Sequence, residues 1–472
     1  MPASSTPSKL FEQFEKLCES FTKYLYFERT PVDQKEYKLE RMRILLAACR
    51  NPQNSIPIIH IAGSKGKGST TILIESLLSA GGYRTGRFTS PHIHHYRERF
   101  YVSNVPQIEY AHSLLEVTRE AEHIGQTCTE KAGSPTMFEL LTLTAFLLFE
   151  RLQCDIAVIE TGLGGRLDTT NVVDPILSVI THLELEHTEI LGNTIESIAA
   201  EKAGIIKKKV PVISSKQEEN ARIVLEKRAK DMQSPWIYLP DICAISNLSI
   251  RKNGMEFSAH MKQLSQEHIS HHTMFEHTTE HLSSPTTNHG TTEFDIHSPL
   301  LGEAHSKNIC LALASLHILG APLPQHTIQE TLKNTHIPGR MQRIDYNLFV
   351  DAAHTPHSIS NAIETMAIIA PEGFTVLLGC VEGKKSDQIA LNIRHPSIHR
   401  VIITDPIIRA SDAKNLIAEC TKHFIIHEYI PEARDALKIL KKHQSPILCI
   451  GSFFLLAAIA DIIYPESISV SD

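Results

Sequence analysis

The chain has 472 residues, 42% of them apolar, with a formal net charge of −7 and a pI of about 6.5. That is too long for one ordinary core, so two or three domains are expected, and the acidic balance argues against a nucleic-acid surface as the main function. No run of about 18 apolar residues suggests a membrane span, Met1 to Leu10 lacks the apolar core of a secretory signal, and the nine cysteines include no Cys-x-x-Cys pair. A cytoplasmic protein with reduced thiols is expected, without a disulfide framework or zinc-ribbon site.

In chain order, Leu10, Phe11, Phe14, Leu17, Cys18, Phe21 and Leu25 share one stripe and predict an amphipathic helix within residues 8–28. Ile56, Ile58, Ile59 and Ile61 then suit a buried strand, and Ile72, Leu73, Leu77 and Leu78 recur at helical spacing. Between them His60 to Thr70 reads His-Ile-Ala-Gly-Ser-Lys-Gly-Lys-Gly-Ser-Thr. Gly63, Gly66 and Gly68 let the backbone turn its N–H groups into one concavity, and the following helix adds its positive end, so the loop is a phosphate cradle with Lys67 in reach of terminal phosphates. It is not a strict G-x-x-x-x-G-K-[ST] match.

Further strands are expected at 155–161, 176–181 and 210–213, with helices at 136–152 and 194–204, a rhythm that implies βαβ crossovers and a mainly parallel sheet. Glu160 stands at a strand's C-terminal end, ahead of a glycine turn, where open α/β sheets bind ligands, and is a candidate Mg²⁺ ligand. His187 lies just past the next strand, so both could project into one crevice. Ser90 follows the strand after the loop's helix and could complete a metal shell or contact substrate. Lys202 is either a surface lysine at a helix C-terminus or a site residue.

Residues 260–305 break the rhythm with nine histidines. They are expected to form a flexible insertion, His271, His272 and His277 lacking cysteine partners for a metal. Strands return at 348–351, 375–379, 400–404, 424–427 and 447–451. The expected division is therefore 1–337, a nucleotide-binding unit with the insertion at about 260–300, and 338–472, a smaller α/β unit.

The loop, Thr89-Ser-Pro-His92, Arg97-Glu-Arg99, Thr136-Met-Phe-Glu139, Glu160 to Asn171, Glu186-His-Thr188, Glu201-Lys-Ala-Gly204, Pro338-Gly-Arg340 and Asp351-Ala-Ala-His354 together resemble the folylpolyglutamate synthase and dihydrofolate synthase family of the Mur ligase superfamily. The resemblance spans about residues 56–460 in family order. It implies a P-loop-containing α/β unit followed by a Rossmann-like one. It also implies a reaction in which MgATP phosphorylates a folate or pteroate carboxylate and the amino group of L-glutamate attacks the acyl phosphate.

Carried over by position, Gly63, Gly66, Lys67, Gly68 and Ser69 would cradle ATP, with Asn308, Arg340 and Asp351 as further ATP contacts. Ser90, Glu160 and His187 would hold Mg²⁺. Lys67, His187, Lys202 and His354 would serve catalysis, Lys202 matching a lysine that family members carry as a carbamate. Met137, Phe138, Glu139, Leu167, Asp168 and Thr169 match pterin-pocket segments; Phe138 offers a ring face and Glu139 an acceptor, although Phe138 also suits a core position.

Three segments depart from the family pattern. Ser64-Lys65 replaces Thr-Asn in the loop, Thr355 replaces Asn in Asp-Gly-Ala-His-Asn-Pro, and Lys35-Glu36-Tyr37-Lys38 replaces the usual Asp-Leu before Leu39-Glu40-Arg41. Only 62 residues precede Gly63, fewer than the roughly 100 of a common domain, so a cell-wall Mur ligase with a leading uridine-nucleotide domain is not expected. A nonenzymatic nucleotide-binding scaffold would be expected to lose Lys67, Glu160 or His187, all present. Small-molecule substrates, a monomer, no nucleic acid and no membrane complete the expectation.

Overall fold

The computed structural model describes residues 6–24, 39–264, 287–288, 291–383, 385–406, 411–423 and 425–464. Glu36, His271, His272, His277 and most of the histidine-rich tract lie outside the described residues. No helix among those described is long and apolar enough to cross a membrane.

Three sheets organise the chain. The first has β1 (Ile58–Ala62), β2 (Thr85–Phe88), β3 (Phe100–Val102), β4 (Ile156–Glu160), β5 (Leu177–Ile180), β6 (Val212–Ser214) and β7 (Trp236–Tyr238) in the order β3-β2-β4-β1-β5-β6-β7. All pairs are parallel except β2 with β3. Because successive side chains point to opposite faces, β4 sends Ile156 and Val158 to one core and Ala157 and Ile159 to another. The first core packs on the helix Lys67–Ala80 through Leu73, Ile74, Leu77 and Leu78. The second packs on Pro7–Ser20 and Met137–Arg151 through Phe14, Cys18, Leu141 and Phe146.

The second sheet is antiparallel: β8 (Cys243–Arg251), β9 (Gly254–Lys262), β10 (Thr287–Asn288) and β11 (Thr291–Ser298), ordered β10-β11-β9-β8. The flexible insertion expected at about 260–300 is therefore strand at its edges. Lys262 pairs with Thr291, and Phe294 and Ile296 alternate inward from Thr291–Ser298, a period-2 signal only a few residues long.

The third sheet has β12 (Gln342–Arg343), β13 (Leu348–Val350), β14 (Phe374–Leu378), β15 (Ile398–Asp405), β16 (His427–Glu432) and β17 (Ile447–Ile450), ordered β12-β13-β17-β14-β15-β16 and parallel except at β12. The strand expected at 424–427 begins instead at His427, because pairing with Val401 to Asp405 sets its register. The two larger sheets meet at Ile93, which leaves the loop after β2 and packs with Leu348, Val350, Leu455 and Leu456 of the third sheet's core.

Candidate active site

The glycine-rich loop lies between the C-terminal end of β1 and the helix Lys67–Ala80. Gly66 caps that helix at φ 88°, and a Cβ there would come 2.7 Å from Oδ1 of Asn308, so only glycine fits both the backbone and the neighbour. A Cβ on Gly63 would lie 1.8 Å from Thr181 Oγ1. Asn308, on the helix Glu303–Ile318, thus meets the loop across more than two hundred residues of sequence. Lys67 donates through Nζ to the Gly63 carbonyl at 3.0 Å and arches over the turn. Ser69 is buried in the helix's first turn.

Glu160, at the end of β4, is buried under this helix N-terminus, with Oε2 3.2 Å from where a Cβ on Gly68 would be. Oε2 accepts the Ser90 backbone N–H at 3.0 Å, its one hydrogen-bond partner among the described residues. Burial pushes the carboxyl above its usual range, while Lys67, the Ser90 N–H, Arg340 and Arg99 pull it back. A buried carboxylate with, among the described residues, no ion pair and no hydrogen bond to its second oxygen fits a hard cation better than a structural role. The Ser90 segment is held by its own acid: Glu98 accepts the N–H groups of Ile93, His94 and His95. Arg99, fully buried, donates to His92 Nδ1 at 2.8 Å.

Beside the loop lies a second charged group. Lys202 is 1% exposed and donates to the Gly63 carbonyl at 2.7 Å and to Glu186 Oε1 at 3.2 Å. Burial lowers its pKa to about 8 against the attraction of Glu186, and Lys67 and Lys65 add to the depression. Burial favours the neutral form of Glu186, but Lys202, Lys67, Lys65 and His187 together hold it far below the ordinary carboxylate range. Lys65 reaches Glu184 Oε1 at 3.1 Å and Glu186 Oε2 at 3.6 Å. His187 precedes the short helix Thr188–Leu191 with φ 48°, half-exposed, its Nδ1 3.8 Å from Glu189.

The third sheet contributes Arg340, Asp351 and His354. Asp351 accepts the Met341 and Ala353 N–H groups at 2.8 and 2.7 Å, and Arg340 opposes the rise that burial gives its pKa. Arg340 stacks on Phe453 at 4.8 Å. Its electrostatic reach to both Glu160 and Asp351 places it between the two units. His354 Nδ1 lies 2.9 Å from the Ala352 carbonyl. Thr355 donates to Glu184 Oε1 at 3.2 Å, a bond across the two units.

The pterin-pocket segment has two sets of surroundings. Met137 belongs to the core. Phe138 is partly buried, 5.8 Å from Phe88 and against Gly162, on the face of the glycine turn after β4. Glu139 differs from the sequence expectation: it is 1% exposed, accepts the Arg41 Nε–H on both oxygens at 2.7 and 2.9 Å, and closes a capping box with Thr136. Its oxygens are therefore taken up in holding two helices together. Asp168 likewise accepts from Leu163 and Thr170 and fixes the turn, Thr169 bonds Thr142 at 3.0 Å, and Leu167 is partly buried.

Sequence reasoning missed Glu184, the Arg41 partner of Glu139, and the buried pair of Glu75 with Arg87 at 3.0 Å. No local spacing signals the two arginine pairs. The alternation of Glu184 with Glu186 in Thr181-His-Leu-Glu-Leu-Glu-His187 is the one local cue for Glu184.

A strand-loop-helix phosphate cradle in one α/β unit, faced by an arginine and an aspartate from a second, is the arrangement of a Mur-type ligase. The comparisons agree: the Mur ligase middle domain matches residues 61–316 and the Mur ligase, glutamate ligase domain matches residues 339–453. A dihydrofolate synthase/folylpolyglutamate synthase of Bacillus subtilis is 33% identical over 335 residues, 70% of this chain and 71% of that protein. A dihydrofolate synthetase of Saccharomyces cerevisiae is 30% identical over 459 residues, 89% of this chain and 96% of that protein. Among solved structures, a Mycobacterium tuberculosis folylpolyglutamate synthase complexed with ADP and AMPPCP superposes with a TM-score of 0.80 at 25% identity, covering 96% of this chain and 99% of that one. The chain belongs to the dihydrofolate synthase and folylpolyglutamate synthase family of the Mur ligases.

Proposed function

We propose that this protein is an ATP-dependent ligase that joins L-glutamate to the carboxylate of a pteroate or folate through an acyl phosphate, acting as a dihydrofolate synthase and folylpolyglutamate synthase. One observation carries the reading: Glu160, buried and, among the described residues, lacking an ion pair and a partner for one oxygen, lies against the phosphate loop and within the field of Lys67 and Arg340. Carboxylate activation by ATP needs positioning and charge neutralisation more than covalent help from the protein. Gly63, Gly66, Gly68 and Ser69 bind the phosphates, Lys67 and Arg340 offset charge that develops on the transferring group, and Asn308 and Asp351 fix the nucleotide.

Ser90, Glu160 and His187 would hold Mg²⁺, which supplies charge neutralisation at the phosphates when bound. His354 orients the phosphates or the incoming glutamate. Lys202 enters the reaction as its carbamate, which reverses its sign; the neighbouring Lys65 and Lys67 accommodate an anion there. Phe138 gives the flat pterin ring a face, with Leu167, Asp168 and Thr169 shaping the turn beside it. Residues 1–337 and 338–472 form the two units that close on the nucleotide, in a monomer with a cytoplasmic place of action. The test is to incubate pure protein with MgATP, L-glutamate and either dihydropteroate or a reduced folate, following ADP and the glutamylated product. Glutamate-dependent ADP release with both acceptors is expected; release with neither would overturn the reading.

A further inference from the structure

His182, Glu184 and His357 offer one ligand atom each, and these atoms lie within 4.8 Å of one another. The first two come from the loop after β5, the third from the first turn of the helix Pro356–Ile369 beyond β13. A second observation points the same way. Glu184 Oε1 is engaged by Lys65 Nζ at 3.1 Å and Thr355 Oγ1 at 3.2 Å, whereas Oε2 is buried with no hydrogen-bond partner among the described residues. A buried carboxylate oxygen left unsatisfied carries a full desolvation cost.

The surrounding bonds suit ligation. His182 Nδ1 lies 3.2 Å from the Lys216 carbonyl, an arrangement that puts the proton on Nδ1 and turns the Nε2 lone pair outward. The Glu184 backbone is pinned by the Ser64 hydroxyl, which donates to its carbonyl at 3.0 Å. His357 is exposed, with Nε2 3.3 Å from the Asn361 amide.

From this geometry we infer a transition-metal site at His182, Glu184 and His357 that bridges the two units. Two imidazoles and one carboxylate are a borderline-soft donor set, dominated by nitrogen and better suited to Zn²⁺ than to Mg²⁺, which prefers a shell made mostly of oxygen. Tetrahedral Zn²⁺ with bonds near 2.1 Å holds its ligand atoms about 3.4 Å apart, so small side-chain rotations complete the site. Three protein ligands leave a fourth position open to water. The site is separate in composition from Ser90 and Glu160, and its occupancy depends on apposition of the two units, because no single unit supplies all three ligands.

The experiment uses the full chain stripped of metal with a chelator. Zn²⁺ is titrated calorimetrically in excess Mg²⁺ into wild type, His182→Ala, His357→Ala and the double variant. Zn²⁺ taken up by the histidines of residues 268–289 is common to all four proteins. Each single variant is expected to lose one equivalent, or to weaken that site at least about 100-fold, and the double variant to lose no more than either single one, because both ligands serve one ion. Zn²⁺ should also raise the Tm of wild type and not of His357→Ala, an exposed substitution that leaves folding intact. Unchanged binding in the single variants, losses that add, or no Zn²⁺ uptake by wild type would each overturn the site.

Discussion

Glu139 and Glu160 are two buried carboxylates with opposite surroundings. Glu139 has the Arg41 Nε–H shared between its two oxygens and a helix cap, whereas Glu160 has one backbone N–H and only distant cations. Breaking the first should cost stability: Arg41→Met leaves a buried charge unpaired and is expected to lower unfolding free energy by about 3–5 kcal/mol, read from urea denaturation. Removing the second should cost activity alone. Glu160→Gln is expected to cut turnover by at least roughly 100-fold, as is Lys67→Ala, with a Tm for Glu160→Gln no lower than wild type, since a buried unpaired charge has been removed; near-wild-type rates would refute the assignment. Lys202 offers a chemical test. Its pKa of about 8 means the neutral amine that reacts with CO₂ becomes abundant between pH 7 and 9. A ¹³C carbamate signal from labelled bicarbonate should therefore grow across that range and be absent in Lys202→Ala. These roles were unevenly legible in the sequence. The motif around Glu160 pointed to its place at the sheet edge. The motif around Glu139 suggested a ligand contact, because its partner Arg41 lies 98 residues away and nothing local betrays the pair.

The helix Pro7–Ser20 shows how an element outside the phosphate loop shapes the site. Its apolar stripe buries Leu10, Phe11, Phe14 and Cys18, as the sequence periodicity implied. The same helix directs Glu15 at the backbone after Ser90, accepting the Tyr96 N–H at 2.8 Å and the Arg97 N–H at 3.1 Å. Burial pushes its carboxyl up to about 7 despite those two bonds. In the folded protein Glu15 therefore holds a proton that the unfolded chain releases near pH 4.5, so its contribution falls as pH rises from about 4.5 to 7. The loss is on the order of 3 kcal/mol. Chemical denaturation across that window should show the fall, and Glu15→Gln should flatten it; an identical slope in the variant would exclude Glu15 as the source. Elements with one strong period were readable from sequence, as this helix and β4 were. β8 was not, because its inward and outward positions do not alternate cleanly, and its place is set by pairing with β9.

At the scale of the whole molecule, the two departures Lys65 and Thr355 converge on one carboxylate oxygen of Glu184. Along the sequence Lys65 reads as a positive charge added beside the phosphates and Thr355 as an amide exchanged for a hydroxyl; only the apposition of the two units makes them a pair. The units are also joined by Ile93, 5% exposed in the core of the third sheet and against Gly339. A nucleotide held by the loop on one side and by Arg340 and Asp351 on the other must enter and leave between units so joined, so domain motion is expected to accompany turnover. Adding MgAMPPCP to the full chain should lower its radius of gyration in small-angle scattering. Ile93→Ala removes the apolar joint, at a cost of about 2–5 kcal/mol by analogy with other buried isoleucines, without touching any phosphate or metal contact. Its ligand-free form should therefore be more expanded than wild type, and MgAMPPCP should compact it by a larger margin, because nucleotide contacts then do the work that Ile93 shared. A ligand-free profile identical to wild type, in a variant whose circular dichroism confirms folding, would show that Ile93 does not hold the units together. Profiles insensitive to MgAMPPCP in both proteins would remove closure from the mechanism.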